Sequence, residues 1–154
     1  MSPTPAAELL EKREQLLRAR RRSDPEVLEV TDALRSLLHT PAHIHRVLLE
    51  DRSSHGLAHL LGELEPVNPV TDITDLRDRF AADRRVFVLR HDALADLACN
   101  VVWVALTNGI PDRLNEVLDP QRTPIDPRDA DTAVYYSIWN AQPGLAGMGG
   151  GREL

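Results

Sequence analysis

A chain of 154 residues with 42% hydrophobic side chains can bury one moderate core, enough for one domain or a domain with a helical appendage and too little for two large domains. A formal charge of -6 at pH 7 and an aromatic content of 4% exclude a nucleic-acid surface, which needs a net basic face and stacking rings. A single cysteine, Cys99, excludes an internal disulfide framework and a cysteine-built zinc site and suits a reducing compartment.

No run of about 18 apolar residues occurs, and the N-terminus lacks the basic-then-apolar order of a signal peptide. The expectation is a cytoplasmic protein without a membrane partner.

From Ala6 to Arg22, Leu9, Leu10, Leu16 and Leu17 recur at the helical period among strong helix formers. The basic run Arg18 to Arg22 is expected to be a charged helix end that complements the macrodipole rather than a phosphate-binding patch. Asp24-Pro25 is a helix start, and Val27, Leu28, Leu34, Leu37 and Leu38 carry a second helix to about His39. Thr40-Pro41 repeats the device and predicts a third, shorter helix with Ile44, Val47 and Leu48. Ser53 or Ser54 caps a fourth, through Leu57, Leu60, Leu61 and Leu64.

Pro66 and Pro69 end that pattern, so a helical region over 1–65 is expected to give way to a mixed α/β region over 66–154. Asp72 starts a short helix ending near Ala82. Val86 to Leu89 and Ala98 to Leu106 are β-rich runs separated by the polar turn His91 to Asp96, which predicts neighbouring antiparallel strands. Asn108-Gly109 turns the chain, Pro111 opens a helix through Leu118, and the proline-rich segment Asp119 to Pro127 is a loop.

The stretch Ala130 to Gly151 then joins a β-branched and aromatic run to a glycine-rich turn. Glycines at 144, 147 and 149 remove Cβ atoms and allow positive φ, so successive N–H groups can turn toward one anion. The turn has no Gly-Lys-Ser/Thr and is not a dinucleotide fingerprint within a parallel βαβ unit. Its position directly after a long strand is what marks it as a phosphate cradle.

Other candidates are weaker. His55 and His59 share a helix face at metal-ligand spacing, but Gly56 stands where a zincin has Glu, and His43 and His45 are two apart, so no metal is expected. Cys99 lies in an apolar run and reads as an inert core thiol. Ser137 is not in a Gly-x-Ser-x-Gly elbow and reads as a pocket residue. Asp126, Asp129 and Asp131 lack calcium-loop spacing and its closing Glu.

Three segments in order, Val102-Trp-Val-Ala-Leu-Thr-Asn-Gly-Ile-Pro111, Asp131-Thr-Ala-Val-Tyr-Tyr-Ser-Ile138 and Gln142-Pro-Gly-Leu-Ala-Gly147, resemble the malonyl-CoA decarboxylase family. Upstream, Ser53 to Val70, Ile73 to Phe80 and Asp83 to Phe87 resemble the approach to that family's catalytic domain, so the likeness covers roughly residues 50 to 148.

The resemblance implies an α+β fold, an N-terminal helical region packed on an incomplete acetyltransferase-like (GNAT-like) mixed sheet. It implies conversion of malonyl-CoA to acetyl-CoA and carbon dioxide, with no cofactor besides the coenzyme A moiety of the substrate. By position, Pro143, Gly144, Leu145, Ala146, Gly147, Met148 and Gly149 would hold the coenzyme A pyrophosphate.

The family's Ser-Ser-x-Ser-Pro and His-x-x-Asn-Gly-Ala segments do not occur in these 154 residues, and Trp103 stands where many relatives carry an acidic residue. No catalytic residue is therefore assigned. The expectation is a form truncated after its coenzyme A loop, weakly active or inactive, whose last strand leaves an unpaired edge that invites partner capture. Malonyl-CoA or another acyl-CoA is the expected ligand, and homo-oligomerisation is left open. The alternatives are a non-catalytic acyl-CoA-binding or assembly module and an acyl-CoA-dependent acyltransferase.

Overall fold

The computed structural model describes residues 3–95 and 97–148. Its helices are α1 (Pro5–Ala19), α2 (Pro25–Leu37), α3 (His55–Leu64), α4 (Ile73–Asp78) and α5 (Leu114–Leu118), and its strands are β1 (His43–Val47), β2 (Arg84–Arg90), β3 (Ala98–Thr107) and β4 (Thr132–Asn140). The fold class is α+β, with a sheet in the order β1-β2-β3-β4. Rising positions on one strand meet falling positions on the next, since Asp131 N–H bonds Thr107 O at 3.1 Å and Ala141 N–H bonds Cys99 O at 2.9 Å. β3 and β4 are therefore antiparallel, and the four-stranded sheet is antiparallel rather than the mixed sheet expected.

The described residues divide into two compact units, one from Met1–His45, Leu89–Asn100 and Asn140–Leu154, the other from Arg46–Val88 and Val101–Trp139. In the first unit, Thr4 caps α1 by accepting from Ala7 N–H, with Pro5 at the opening position. The same hydroxyl donates to Ala93 O at 2.7 Å. Asp24 and Pro25 start α2 in the same way, and Val27, Val30, Thr31 and Leu34 form its buried face. Ala6, Leu10, Leu34, Leu89, Leu94 and Cys99 make one apolar cluster.

The second unit is centred on Trp103, fully buried along with Leu61, Val86, Val88 and Val101. Phe80 meets the Trp103 indole edge-on at 5.6 Å between ring centres, an arrangement that suits the ring quadrupoles. From Ala98 to Ala105 every residue of β3 is buried, which explains an apolar run without alternation: an interior strand is covered on both faces.

Three expected elements differ from those observed. The third helix is instead the strand β1, four of whose five residues are exposed and only Val47 buried. With so little apolar surface, a five-residue helix would have no buried face to stabilise it, whereas pairing with β2 satisfies the backbone directly. Helix α4 stops at Asp78 rather than Ala82, because the following backbone tightens into single turns, Phe80 N–H to Arg77 O and Ala81 N–H to Asp78 O. Helix α5 starts at Leu114 rather than Pro111. In the expected turn from His91 to Asp96, Asp96 lies outside the described residues.

Candidate functional site

The segment after β4 opens with Gln142, whose side-chain amide donates to Ala98 O at 2.9 Å. Residues Pro143–Leu145 form one tight turn, closed by Leu145 N–H to Gln142 O, Ala146 N–H to Pro143 O and Met148 N–H to Leu145 O. Those bonds use most of the loop's donors. Pro143 has none to offer, so among residues 143–148 the N–H groups of Gly144 and Gly147 take no part in these bonds.

The two glycines have reasons of their own. A Cβ on Gly144 would stand 2.3 Å from Leu10 O, so the loop lies against the backbone of α1 more closely than any side chain permits. Gly147 has φ +78°, and a Cβ there would stand 2.6 Å from Arg22 Nη1. Gly144 is buried, whereas Gly147 is exposed. Of the two described glycines only Gly147 combines exposure with an N–H the turn does not use, so the expected seven-residue cradle reduces, among the described residues, to one such position. Gly149, the last of the expected loop positions, lies outside the described residues.

The loop is held from below by Arg13, which is 3% exposed. Its Nε donates to Thr31 Oγ1 at 2.7 Å, one Nη to Gly144 O, and both Nη groups to Ala146 O at 3.2 and 3.1 Å. Thr31 in turn donates to Val27 O at 2.6 Å. No carboxylate takes part. Burial, and then repulsion from Arg22 and Arg35, pull the Arg13 pKa below its ordinary value. The chain thus keeps a buried cation, with neutral oxygens as its hydrogen-bond partners, under the loop.

Beside it lies an open groove of about 310 Å³, lined by Glu14, Arg18, Arg20, Arg22, Pro143 and Ala146 among others. Only Arg18 of this basic run falls within α1, whose last residue is Ala19. Arg20 to Arg22 therefore lie at and beyond the helix cap rather than in its last turn.

The remaining candidates have structural roles. Burial pushes the Cys99 thiol up to about 11, which keeps it protonated at neutral pH. It borders a cavity of about 230 Å³ together with Leu89, His91, Leu94, Leu145 and Met148. Ser137 is buried and donates to Glu65 Oε1 at 2.6 Å, while Trp139 Nε1 donates to Glu65 Oε2 at 2.8 Å. Glu65 Oε1 also accepts from Val67 and Asn68 N–H at 2.9 Å each, so Ser137 is one arm of a carboxylate clamp. His55 and His59 stack edge-on at 4.6 Å, and His55 Nδ1 is 2.7 Å from Leu49 O. Among the described residues no group of three or more His, Cys, Asp or Glu side chains could hold a metal. Asp126 caps a local turn by accepting from Arg128 N–H, and Asp131 accepts from Gly109 N–H across 22 positions.

Sequence reasoning missed Arg13 and Glu65, and both left a signal. Arg13 interrupts the apolar stripe Ala6, Leu10, Leu17 of α1 at the position where a leucine is expected. Glu65 directly follows a helix end, where a negative charge opposes the macrodipole and needs other partners.

Residues 52–154 match the family model described as the malonyl-CoA decarboxylase C-terminal domain. The chain belongs to the malonyl-CoA decarboxylase family. A curated family member, the mitochondrial malonyl-CoA decarboxylase of Anser anser anser, is 31% identical over 97 residues, 61% of this chain and 19% of its own length. Solved malonyl-CoA decarboxylases agree in fold. The one from Rhodopseudomonas palustris is 33% identical with a TM-score of 0.77, over 94% of this chain and 34% of that one. The one from Agrobacterium vitis is 32% identical with a TM-score of 0.80, over 94% and 36%. The chain therefore spans about a third of these family members and a fifth of the goose enzyme. No helix among the described residues is long and apolar enough to cross a membrane.

Proposed function

We propose that this chain carries the coenzyme A-contacting part of a malonyl-CoA decarboxylase, with residues 66–154 forming the front of an acetyltransferase-like catalytic domain and 1–65 the region before it. The carrying observation is that the glycine loop follows β4 directly within residues 52–154, the span matched by the family's C-terminal domain. Within the expected loop Pro143 to Gly149, Gly147 N–H is the described donor that would meet the pyrophosphate of malonyl-CoA, and the coenzyme A moiety is the only cofactor-like group needed.

In the reaction the substrate carboxylate leaves as carbon dioxide and its bonding pair moves onto the thioester as an enolate, which then takes a proton on carbon to give acetyl-CoA. The enolate needs oriented donors and the carbon needs an acid. Residues 1–154 contain neither the serine-rich nor the His-x-x-Asn-Gly-Ala segment that the family resemblance assigns to those tasks. On their own they bind acyl-CoA and turn it over weakly or not at all. The expected compartment is the cytoplasm.

Incubation of the purified chain with malonyl-CoA, followed by chromatographic detection of acetyl-CoA, tests the catalytic half. Turnover matching that of a full-length family member would overturn the assignment of chemistry to other segments. Calorimetric titration with coenzyme A tests the binding half, and absence of any binding removes the reading.

A further inference from the structure

Three features meet at the outer side of the loop. Arg18 is paired with Glu14 and Arg20 with both Asp24 and Glu26 at 3.4 and 3.0 Å, which spends their charge locally. Arg22 has no ion pair among the described residues, and its guanidinium lies over Gly147. Gly147 is also the exposed loop residue whose N–H is not used by the turn. Beneath them Arg13 adds a second cation whose hydrogen bonds go to neutral oxygens. In a protein of formal charge -6, Arg22 and Arg13 together make a local cluster of positive charge that no ion pair among the described residues cancels.

We propose that Arg22, donated by the segment after α1, is a phosphate-binding residue that closes over the glycine loop and pairs with a phosphate ester of the ligand while Gly147 N–H bonds the same group. This rests on the reading of the loop as a coenzyme A contact and adds to it a residue from outside the loop. The guanidinium fork suits two phosphate oxygens at once, and Glu14 and Arg18 neutralise each other at the groove edge. Arg22 is exposed, so its contribution falls as salt rises.

The test is calorimetric titration of the full chain and its Arg22→Gln variant with coenzyme A, pantetheine and inorganic pyrophosphate, with circular dichroism and urea midpoints to show an unchanged fold. The expected result is a loss of about tenfold or more in affinity for coenzyme A and for pyrophosphate, roughly 1.4 kcal/mol, with pantetheine unchanged. Arg22→Lys should recover part of the loss, and Arg18→Gln should change little. Equal coenzyme A affinity in wild type and Arg22→Gln overturns the inference and leaves the coenzyme A reading intact. Equal losses for coenzyme A and pantetheine overturn it too, since they mark a structural effect. If wild type binds no coenzyme A, the functional reading falls, and pyrophosphate decides the rest. Pyrophosphate binding lost in Arg22→Gln sustains an anion site, and no pyrophosphate binding overturns it.

Discussion

Each unit buries arginines, and Arg79 and Arg122 of the second unit are partnered differently from Arg13 of the first. In the second unit Arg79, 5% exposed, is bound by Asp75 through Nε at 2.8 Å and Nη at 3.2 Å, and it also donates to Asn68 O and Pro69 O. Arg122 reaches Asp78 at 2.9 Å and the buried Asp83 at 2.6 Å. These cations have carboxylate partners, and the charge is spent on holding α4 and the 119–125 loop in place. In the first unit Arg13 is equally buried and has only a hydroxyl and two carbonyls. A carboxylate there would have made a tighter clamp and cancelled the field at the loop.

The largest expected effect lies in the carboxylate-paired unit. Arg122→Ala takes from Asp83, 2% exposed, its short ion pair and leaves it only Arg84 Nε at 3.8 Å and the N–H of Ile125, and should cost about 3–5 kcal/mol in urea denaturation. Arg13→Met should cost less, about 2–3 kcal/mol, because it strips a charged donor from neutral acceptors rather than stranding an ion. If Arg13→Met costs more than Arg122→Ala, the contrast between the two arginines is wrong.

Gly144→Ala should destabilise by about 1–3 kcal/mol, since the added methyl meets the backbone oxygen of Leu10, which cannot swing aside. Gly62→Ala is the control: its methyl would meet the flexible Leu76 Cδ1 at 2.7 Å and should cost less.

A pH series reads the carboxylate pairs directly. Burial works to raise the Asp75 pKa, but the hydrogen bonds and charge of Arg79, with help from Thr71 N–H, hold it below its ordinary value. A lowered folded value means stability that is fully present above the unfolded carboxylate pKa of about 3.9 and is lost as pH falls through the folded value. Asp75→Asn should therefore lower stability at pH 7 and flatten the acid limb of the stability curve below about pH 4. An unchanged acid limb would show that the pair contributes nothing.

The smallest effect is expected at Cys99. With its thiol pushed up to about 11 by burial, it should stay unlabelled by a disulfide reagent in the native state at pH 8 and react only on denaturation. Fast native labelling would mean that the apolar cluster of the first unit opens readily.

Much of this was legible from the chain alone. The first helix from its leucine spacing, the helix start at Asp24-Pro25, the strand from Ala98 and the strand ending near Asn140 follow from periodicity, a cap with its proline and β-branched runs, all of which act within a few residues. The Thr4-Pro5 cap came from the structure. The strand β1 was not legible, because its partner β2 lies about 40 residues further on and local propensity favours neither state strongly. The site divides in the same way. The glycine loop after β4 stands out in the residues themselves, whereas its two supports do not. Arg13 reaches Gly144 across 131 positions, and Arg22 reaches Gly147 across the fold.

The sequence by itself determined the family and the existence of the strand-then-glycine junction, because those depend on residue identity and short spacing. Only the tertiary structure decided what the glycines are for. Gly144 is there to let α1 approach, and Gly147 is there to turn the chain under Arg22. Backbone contacts between distant segments leave no periodicity to read, so the same three glycines fit a cradle, a packing contact or both until the helix is seen against the loop.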